Sequence, residues 1–179
     1  MTPKEAAART PLFIADEMPL APCDAVAAII TAGGRYLMQL RDDHGGIFYP
    51  DHWGLFGGAI EPGESETCAL IRELGEELGL AVAADEIRPF SAFTFDFLFA
   101  GGAAVIRSFY EVPLTPARLK PLRLGEGQKM NLLTAAEAFD PLRKVAPYDA
   151  FAVWLHANQT RLELSGAQRP PMPAKAGAR

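Results

Sequence analysis

Three glutamates, Glu73, Glu76 and Glu77, are spaced so that a helix would carry all of them on one face. At about 100° per residue they fall within an arc of roughly 100°. Leu70, Leu74 and Leu78 recur at four-residue steps on a neighbouring arc, with Ile71 beside them, as a core-facing stripe requires. The acidic face is costly by itself, because unit charges about 4 Å apart repel by roughly 4 kcal/mol at an effective dielectric near 20. Glu73 with Glu77 and Glu73 with Glu76 are like-charged i,i+4 and i,i+3 pairs, and neither supports a helix. Arg72 stands N-terminal to Glu76, the weaker orientation for relief, and no Lys occurs between Gly58 and Leu80. A solvated acidic face is one reading. A hard divalent cation held by oxygen ligands, Mg²⁺ or Mn²⁺, is the other. These three residues alone do not separate the two.

The wider segment, GAIEPGESETCALIRELGEELGL from Gly58 to Leu80, resembles the Nudix box of the Nudix hydrolase family. That pattern runs from a Gly, across five residues to Glu, across seven more to Arg-Glu-aliphatic, and ends in x-Glu-Glu-x-Gly-aliphatic. Gly58, Glu64, Arg72, Glu73, Leu74, Glu76, Glu77, Gly79 and Leu80 fill each defined position. The resemblance implies an α/β fold, an α/β/α sandwich around a mixed β-sheet. It also implies metal-dependent cleavage of a phosphoanhydride (pyrophosphate) bond in a nucleoside diphosphate derivative, with nucleoside triphosphates favoured. A nucleotide-sugar hydrolase and a non-catalytic nucleotide sensor are the alternatives; sensors usually carry a degraded box.

Carried over from the family, Glu76 and Glu77 bind the metal ion with the Gly57 carbonyl. Glu73 either joins them or orients and deprotonates water. Arg72 holds Glu73 or another carboxylate by charge-assisted hydrogen bonds, and Glu64 fixes the loop–helix junction by pairing with Arg72. Glu126, between Gly125 and Gly127, is the candidate for a further carboxylate, because related proteins often carry Glu-Gly here. Asp96 and Glu111 are weaker rivals, better explained as solvent-facing strand residues. For the substrate, Arg41 is the candidate phosphate contact, and Phe48 and Trp53, with Tyr49 and Phe93, are candidate stacking faces for a base. Each aromatic is better explained as core or loop packing. Signatures of the ADP-ribose, NADH, coenzyme A and isoprenyl-diphosphate subfamilies are missing; Phe95 and Asp96 stand where the first would carry Pro.

The rest of the composition is compatible. A chain of 179 residues with 49% hydrophobic and 22% charged residues is long enough for one domain with a real core. The net charge of −5 argues against binding a nucleic acid polymer through its backbone. Cys23 and Cys68 make neither a disulfide framework nor a zinc spacing, and Cys68 is expected to be a small buried residue of the helix. No apolar run reaches the roughly 18 residues of a membrane span, and the N-terminus lacks a signal-peptide pattern. A cytoplasmic protein is expected.

The elements that must position these residues follow from periodicity and turn signals. Ala25–Thr31 is predicted as a buried strand, Gly33-Gly34 as a hairpin turn, and Tyr36–Arg41 as the returning strand. Asp42–His52 is a loop and Trp53–Phe56 a short strand into Gly57-Gly58. Ser65 is the predicted N-cap and Gly79 the left-handed C-terminal cap of the helix. Phe90–Phe99 and Ala104–Val112 are predicted as a hairpin about Gly101-Gly102, Thr134–Phe139 as a short helix, and Pro147–Asn158 as a longer one. Residues 1–22 are expected to form an arm, 23–165 the domain, and 166–179 a disordered tail. The Leu12–Ile14 patch and the Phe93, Phe95, Phe97, Phe99 alternation are candidate surfaces for a homodimer, although such an alternation is more often simple core.

Overall fold

The computed structural model describes residues 22–96 and 103–162, with side chains to residue 159. Residues 1–21 of the expected arm, the expected tail, Phe97, Phe99 and the Gly101-Gly102 turn lie outside the described residues. Among the described residues six strands form one mixed sheet. β1 (Ala25–Ala32) and β2 (Arg35–Leu40) are joined at Gly33 and Gly34, whose φ values of 55° and 75° suit a tight hairpin turn. β3 (Trp53–Gly54) pairs with β2, and β6 (Lys129–Leu133) also runs antiparallel to β2. β5 (Ala104–Pro113) lies parallel to β1 and antiparallel to β4 (Arg88–Asp96). The helices are α1 (Glu66–Leu78), α2 (Pro116–Leu119), α3 (Ala135–Ala138) and α4 (Pro147–Leu162).

The sheet carries a separate core on each face, which is the sandwich the sequence implied. Leu70, Leu74 and Leu78 of α1 are fully buried against Val26, Ala28 and Ile30 of β1. On the other face, Ala152 and Val153 of α4 pack on Ala27, Ile29, Met38, Leu55 and Phe109. The leucines, isoleucines and methionine among them are each worth about 2–5 kcal/mol when truncated to alanine. β1 serves both faces at alternate residues, so it reads as a continuous apolar run rather than an alternating one. Among the described residues no helix is long and apolar enough to cross a membrane.

Several expectations change in detail. Trp53–Phe56 is not a full strand: only Trp53 and Gly54 pair with β2, and the chain then crosses to β1 through Phe56 and Ala59. α4 continues past Asn158 to Leu162. β6 is an addition to the expected strands: of Lys129–Leu133 only Leu133 is buried, and the alternation is short. Cys68 is exposed, not buried. It lies in the first turn of α1, where Ala69 and Leu70 take the inward positions.

Candidate functional site

The segment between β3 and α1 is wedged into the sheet. Trp53 and Gly54 bond to β2, while Ala28 N–H donates to the Phe56 carbonyl and Val26 N–H to the Gly58 carbonyl. No side chain fits at the point of entry. A Cβ at Gly57, where φ is 132°, would lie 2.3 Å from the Val26 carbonyl oxygen, and one at Gly58 would lie 2.4 Å from a Glu73 oxygen. The glycines thus bring backbone directly against the glutamates of α1.

α1 is built as its sequence dictates. Ser65 Oγ accepts from Cys68 N–H at the first turn. Gly79, at φ 62°, closes the last turn as a left-handed αL cap, its N–H donating to Gly75 O, and Leu80 N–H reaches back to Leu74 O. The carbonyls left over at that end are taken by the distant Arg123–Gly127 loop. Arg123 N–H donates to Leu78 O and Gly125 N–H to Glu77 O. Gly125 permits this approach, since a Cβ there would meet the Glu76 carbonyl at 2.4 Å. The loop carrying Glu126 is therefore docked on the end of α1 beside Glu77.

Glu77 is 5% exposed. Its Oε2 accepts from Gly57 N–H at 2.7 Å and its Oε1 from Gln39 Nε2 at 3.0 Å. Burial pushes its carboxyl up to about 7; the two hydrogen bonds pull it down, and the charges of Glu73 and Glu126 push it up further. Burial also raises Glu73, with Arg72 opposing and Glu76 and Glu126 adding to the rise. Arg72 is the hub of the remaining carboxylates. It contacts Glu64 at 2.9 Å, Glu73 at 2.8 Å and Glu76 at 3.3 Å, and donates to the Ala59 carbonyl. The expected Glu64–Arg72 pairing thus has a definite geometry, and it holds Glu64 below the usual carboxylate range.

As they stand, no three His, Cys, Asp or Glu side chains among the described residues converge closely enough to hold a metal ion. The guanidinium of Arg72 occupies Glu73 and Glu76 instead. The donor set still fits a hard cation, for a reason visible in the charges. One Arg faces several carboxylates, and both buried glutamates are pushed up partly by their acidic neighbours. The Glu76 side chain is 61% exposed, so leaving Arg72 costs only about 0–1 kcal/mol for a surface pair of this kind. Glu76 can therefore turn to a cation with little penalty.

The titration of Glu77 has a consequence for stability. Its folded value near 7 lies above the ordinary 4.5, so the folded chain holds a proton the unfolded chain releases. The stability that proton confers is complete below about pH 4.5 and is lost as pH rises through about 7. At about 1.4 kcal/mol per pKa unit the loss is on the order of 3 kcal/mol. Metal-free protein is expected to melt lower at pH 8 than its Glu77→Gln variant, with the gap closing by pH 4.5. Melting curves of both proteins across this range check it; a gap independent of pH would remove Glu77 as the source.

An open cavity of about 580 Å³ lies where these elements meet, lined by Gln39, Arg41, Asp42, Glu77, Glu126 and Gly127 among others. Arg41 reaches it from the end of β2, where its Nε donates to the Phe48 carbonyl at 2.9 Å. Phe48 contributes that carbonyl and is half-buried. Trp53 lies on the other face of the sheet, in the α4 core, under Arg143 at 4.9 Å from the ring centroid. It lines a different cavity, with Leu40, Asp51 and Lys144. Phe93 packs on Phe109 and Phe151, and Tyr49 on His52 and Tyr148. Asp96 is exposed on β4, and Glu111 lies 3.6 Å from His156 on the α4 side.

Two buried polar residues, one beside the site and one on the opposite face, carry no mark in the sequence. Gln39 reads as one more polar residue of an alternating strand, and only its burial beside Glu77 marks it. Asp149 reads as an ordinary acidic residue in a first helical turn. It is fully buried, accepts from Leu55 N–H at 2.9 Å and pairs with Arg107 at 3.1 Å.

A mixed sheet that feeds a glycine wedge into a glutamate-bearing helix, with a second helical layer behind, defines an α/β/α domain with a carboxylate-rich site. This chain belongs to the Nudix family: the NUDIX domain model matches residues 21–155. A nucleoside triphosphatase, NudI, of Escherichia coli O1:K1 / APEC is 42% identical over 66 residues, 37% of this chain and 46% of that protein. The chain thus spans about half the length of the curated relatives it matches. Among solved structures, the E. coli dihydroneopterin triphosphate pyrophosphohydrolase is 20% identical, with 78% of this chain and 98% of that one covered and a TM-score of 0.61. The NUDIX domain of Shewanella oneidensis NrtR, complexed with ADP ribose, is 16% identical over 91% and 100% of the two chains, also at 0.61. At such identities the likeness is one of fold.

Proposed function

We propose that this chain is a divalent-cation-dependent hydrolase of the phosphoanhydride bond in a nucleoside diphosphate derivative, with nucleoside triphosphates as the favoured substrates. The observation that carries the reading is the meeting of Arg41, Glu77 and Glu126 on one open cavity, with Glu73 close enough to feel both acids. The name of the E. coli relative as a nucleoside triphosphatase supports the choice of substrate class.

In this reading Glu76, Glu77 and the Gly57 carbonyl hold the ion, Mg²⁺ or Mn²⁺ in its place, and Glu73 either joins them or serves the water. When bound, it supplies neutralisation of the charge developing on the phosphate oxygens and acidifies water. The chain's own groups do the rest. Arg41 attracts and orients the phosphate chain by charge-assisted hydrogen bonds. Glu73 or Glu126 accepts the proton of the attacking water, a role suited to a carboxylate raised by burial or placed at the cavity rim. Arg72 balances Glu64 and keeps whichever glutamate is not engaged from repelling the others. Gly57 N–H holds Glu77 in place throughout.

A panel of nucleoside triphosphates, nucleotide sugars and ADP-ribose with Mg²⁺ tests the reading, with products separated by chromatography. Triphosphates are expected to turn over fastest. Cleavage of none of them by folded, ion-loaded protein would reject it. Glu126→Gln is expected to lower the rate about 10²-fold or more and to alter its pH profile, as loss of a general base does. No change in either would take Glu126 out of the site.

A further inference from the structure

The geometry points to Gln39 as a positioning residue: its side-chain amide fixes the Glu77 carboxylate for a cation without neutralising it. The inference rests on the proposed role of Glu77 as a metal ligand.

Gln39 is 3% exposed, on the α1-facing side of β2. A buried primary amide is unfavourable unless its polar atoms find partners. Here Nε2 donates to Glu77 Oε1 at 3.0 Å, while Gly57 N–H takes Oε2 at 2.7 Å. Each oxygen of Glu77 is thus tied by one donor, and a carboxylate oxygen has two acceptor positions. One position on each remains. The carboxylate plane is set by two donors of unrelated origin, a strand side chain and a turn backbone, so its free lone pairs have a fixed direction.

The other end of the same amide faces the loop of Glu126. Gln39 Oε1 would be 2.7 Å from a Cβ placed on Gly127, whose φ of 86° lets the loop close down over it. Gly127 N–H is held by Asp42, and Gln128 N–H by the Leu40 carbonyl. Gln39 therefore spans the gap between the buried glutamate and the loop that presents the second acid.

Its chemistry suits that place. A Lys or Arg would orient Glu77 equally well but would also pair with it, as Arg72 does with Glu73 and Glu76. A cation would then have to displace an ion pair. An amide donates one hydrogen bond and leaves the full negative charge available.

The test is calorimetric titration of Mn²⁺ into metal-free protein at pH 8, for the parent, Gln39→Leu, Gln39→Asn and Glu77→Gln. Gln39→Leu removes the donor at similar bulk, and Gln39→Asn withdraws it while keeping a polar group, so one serves if the other does not fold. Both are expected to bind Mn²⁺ about 10–100-fold more weakly, the usual effect of losing a hydrogen bond to a ligand. At saturating ion, kcat is expected to fall with KM for the nucleotide unchanged. Parent-like Mn²⁺ affinity in a folded Gln39 variant, with affinity lost in Glu77→Gln, overturns this inference alone. Parent-like affinity in Glu77→Gln overturns the ligand role of Glu77 and this inference with it.

Discussion

Glu77→Gln is expected to lower turnover by at least about 100-fold at saturating Mg²⁺, more than partners outside the ligand shell typically cost. The substitution keeps the shape that fills the space between Gly57 N–H and Gln39 Nε2. Gln39 can turn its amide to accept from the new one, so hydrogen bonding is conserved. What disappears is the charge, and with it the penalty that burial imposes on the ionised group. The variant is therefore expected to melt at or above the temperature of the metal-free parent at pH 8, with no further rise on adding Mg²⁺. Activity lost together with stability would mean a structural role. Activity lost with stability kept, and with the response to Mg²⁺ gone, identifies a ligand. Steady-state rates and melting curves on the same preparation decide between them.

The second large effect lies on the opposite face of the sheet. Asp149 is fully buried, and its two oxygens serve Arg107 Nη2 and Leu55 N–H. Arg107 is itself packed over Tyr148, 4.5 Å from the ring centroid. Removing one member leaves an uncompensated charge in the interior, a loss of about 3–5 kcal/mol. For a domain of this size that is roughly 6–20 °C in melting temperature. Asp149→Leu and Arg107→Met are each expected to show it. The double variant is expected to recover much of the loss, because the interior charge is gone. It will still lack the acceptor for Leu55 N–H, which costs about 1–3 kcal/mol. Losses that simply add in the double variant would contradict the pairing. Gly54 belongs to the same arrangement, since a Cβ there would approach Asp149 Oδ2 to 2.9 Å.

The two faces of the molecule were unequally legible in the sequence. α1 was readable to its caps, because Ser65, the leucine stripe, the glutamate arc and Gly79 are all local signals of one helix. The first hairpin was readable from Gly33-Gly34 for the same reason. The crossing of Phe56 to β1 and the pairing of β6 with β2 were not, because both depend on which distant strand offers free backbone groups. Cys68 faces solvent because a helix position near the N-cap can do so even when its type favours burial.

The site divides along the same line. That Arg72 would pair with Glu64 followed from the motif, but its simultaneous hold on Glu73 and Glu76 is a product of packing. Glu126 could be suspected from its flanking glycines. Its delivery to Glu77, through Gly125 N–H and the spare carbonyls at the end of α1, needed the tertiary structure. Gln39, Arg107 and Asp149 carry no local signal strong enough to mark them. Each is an ordinary polar residue that becomes significant only by being buried beside a particular partner.

The most direct measurement is the rate of pyrophosphate or phosphate release from a nucleoside triphosphate as Mg²⁺ is titrated into chelator-stripped protein. Release that is negligible without the ion and saturates with it is the expected outcome. Equal release with and without the ion, or none from folded protein shown to have taken it up, would contradict a carboxylate-held cation acting on a phosphoanhydride.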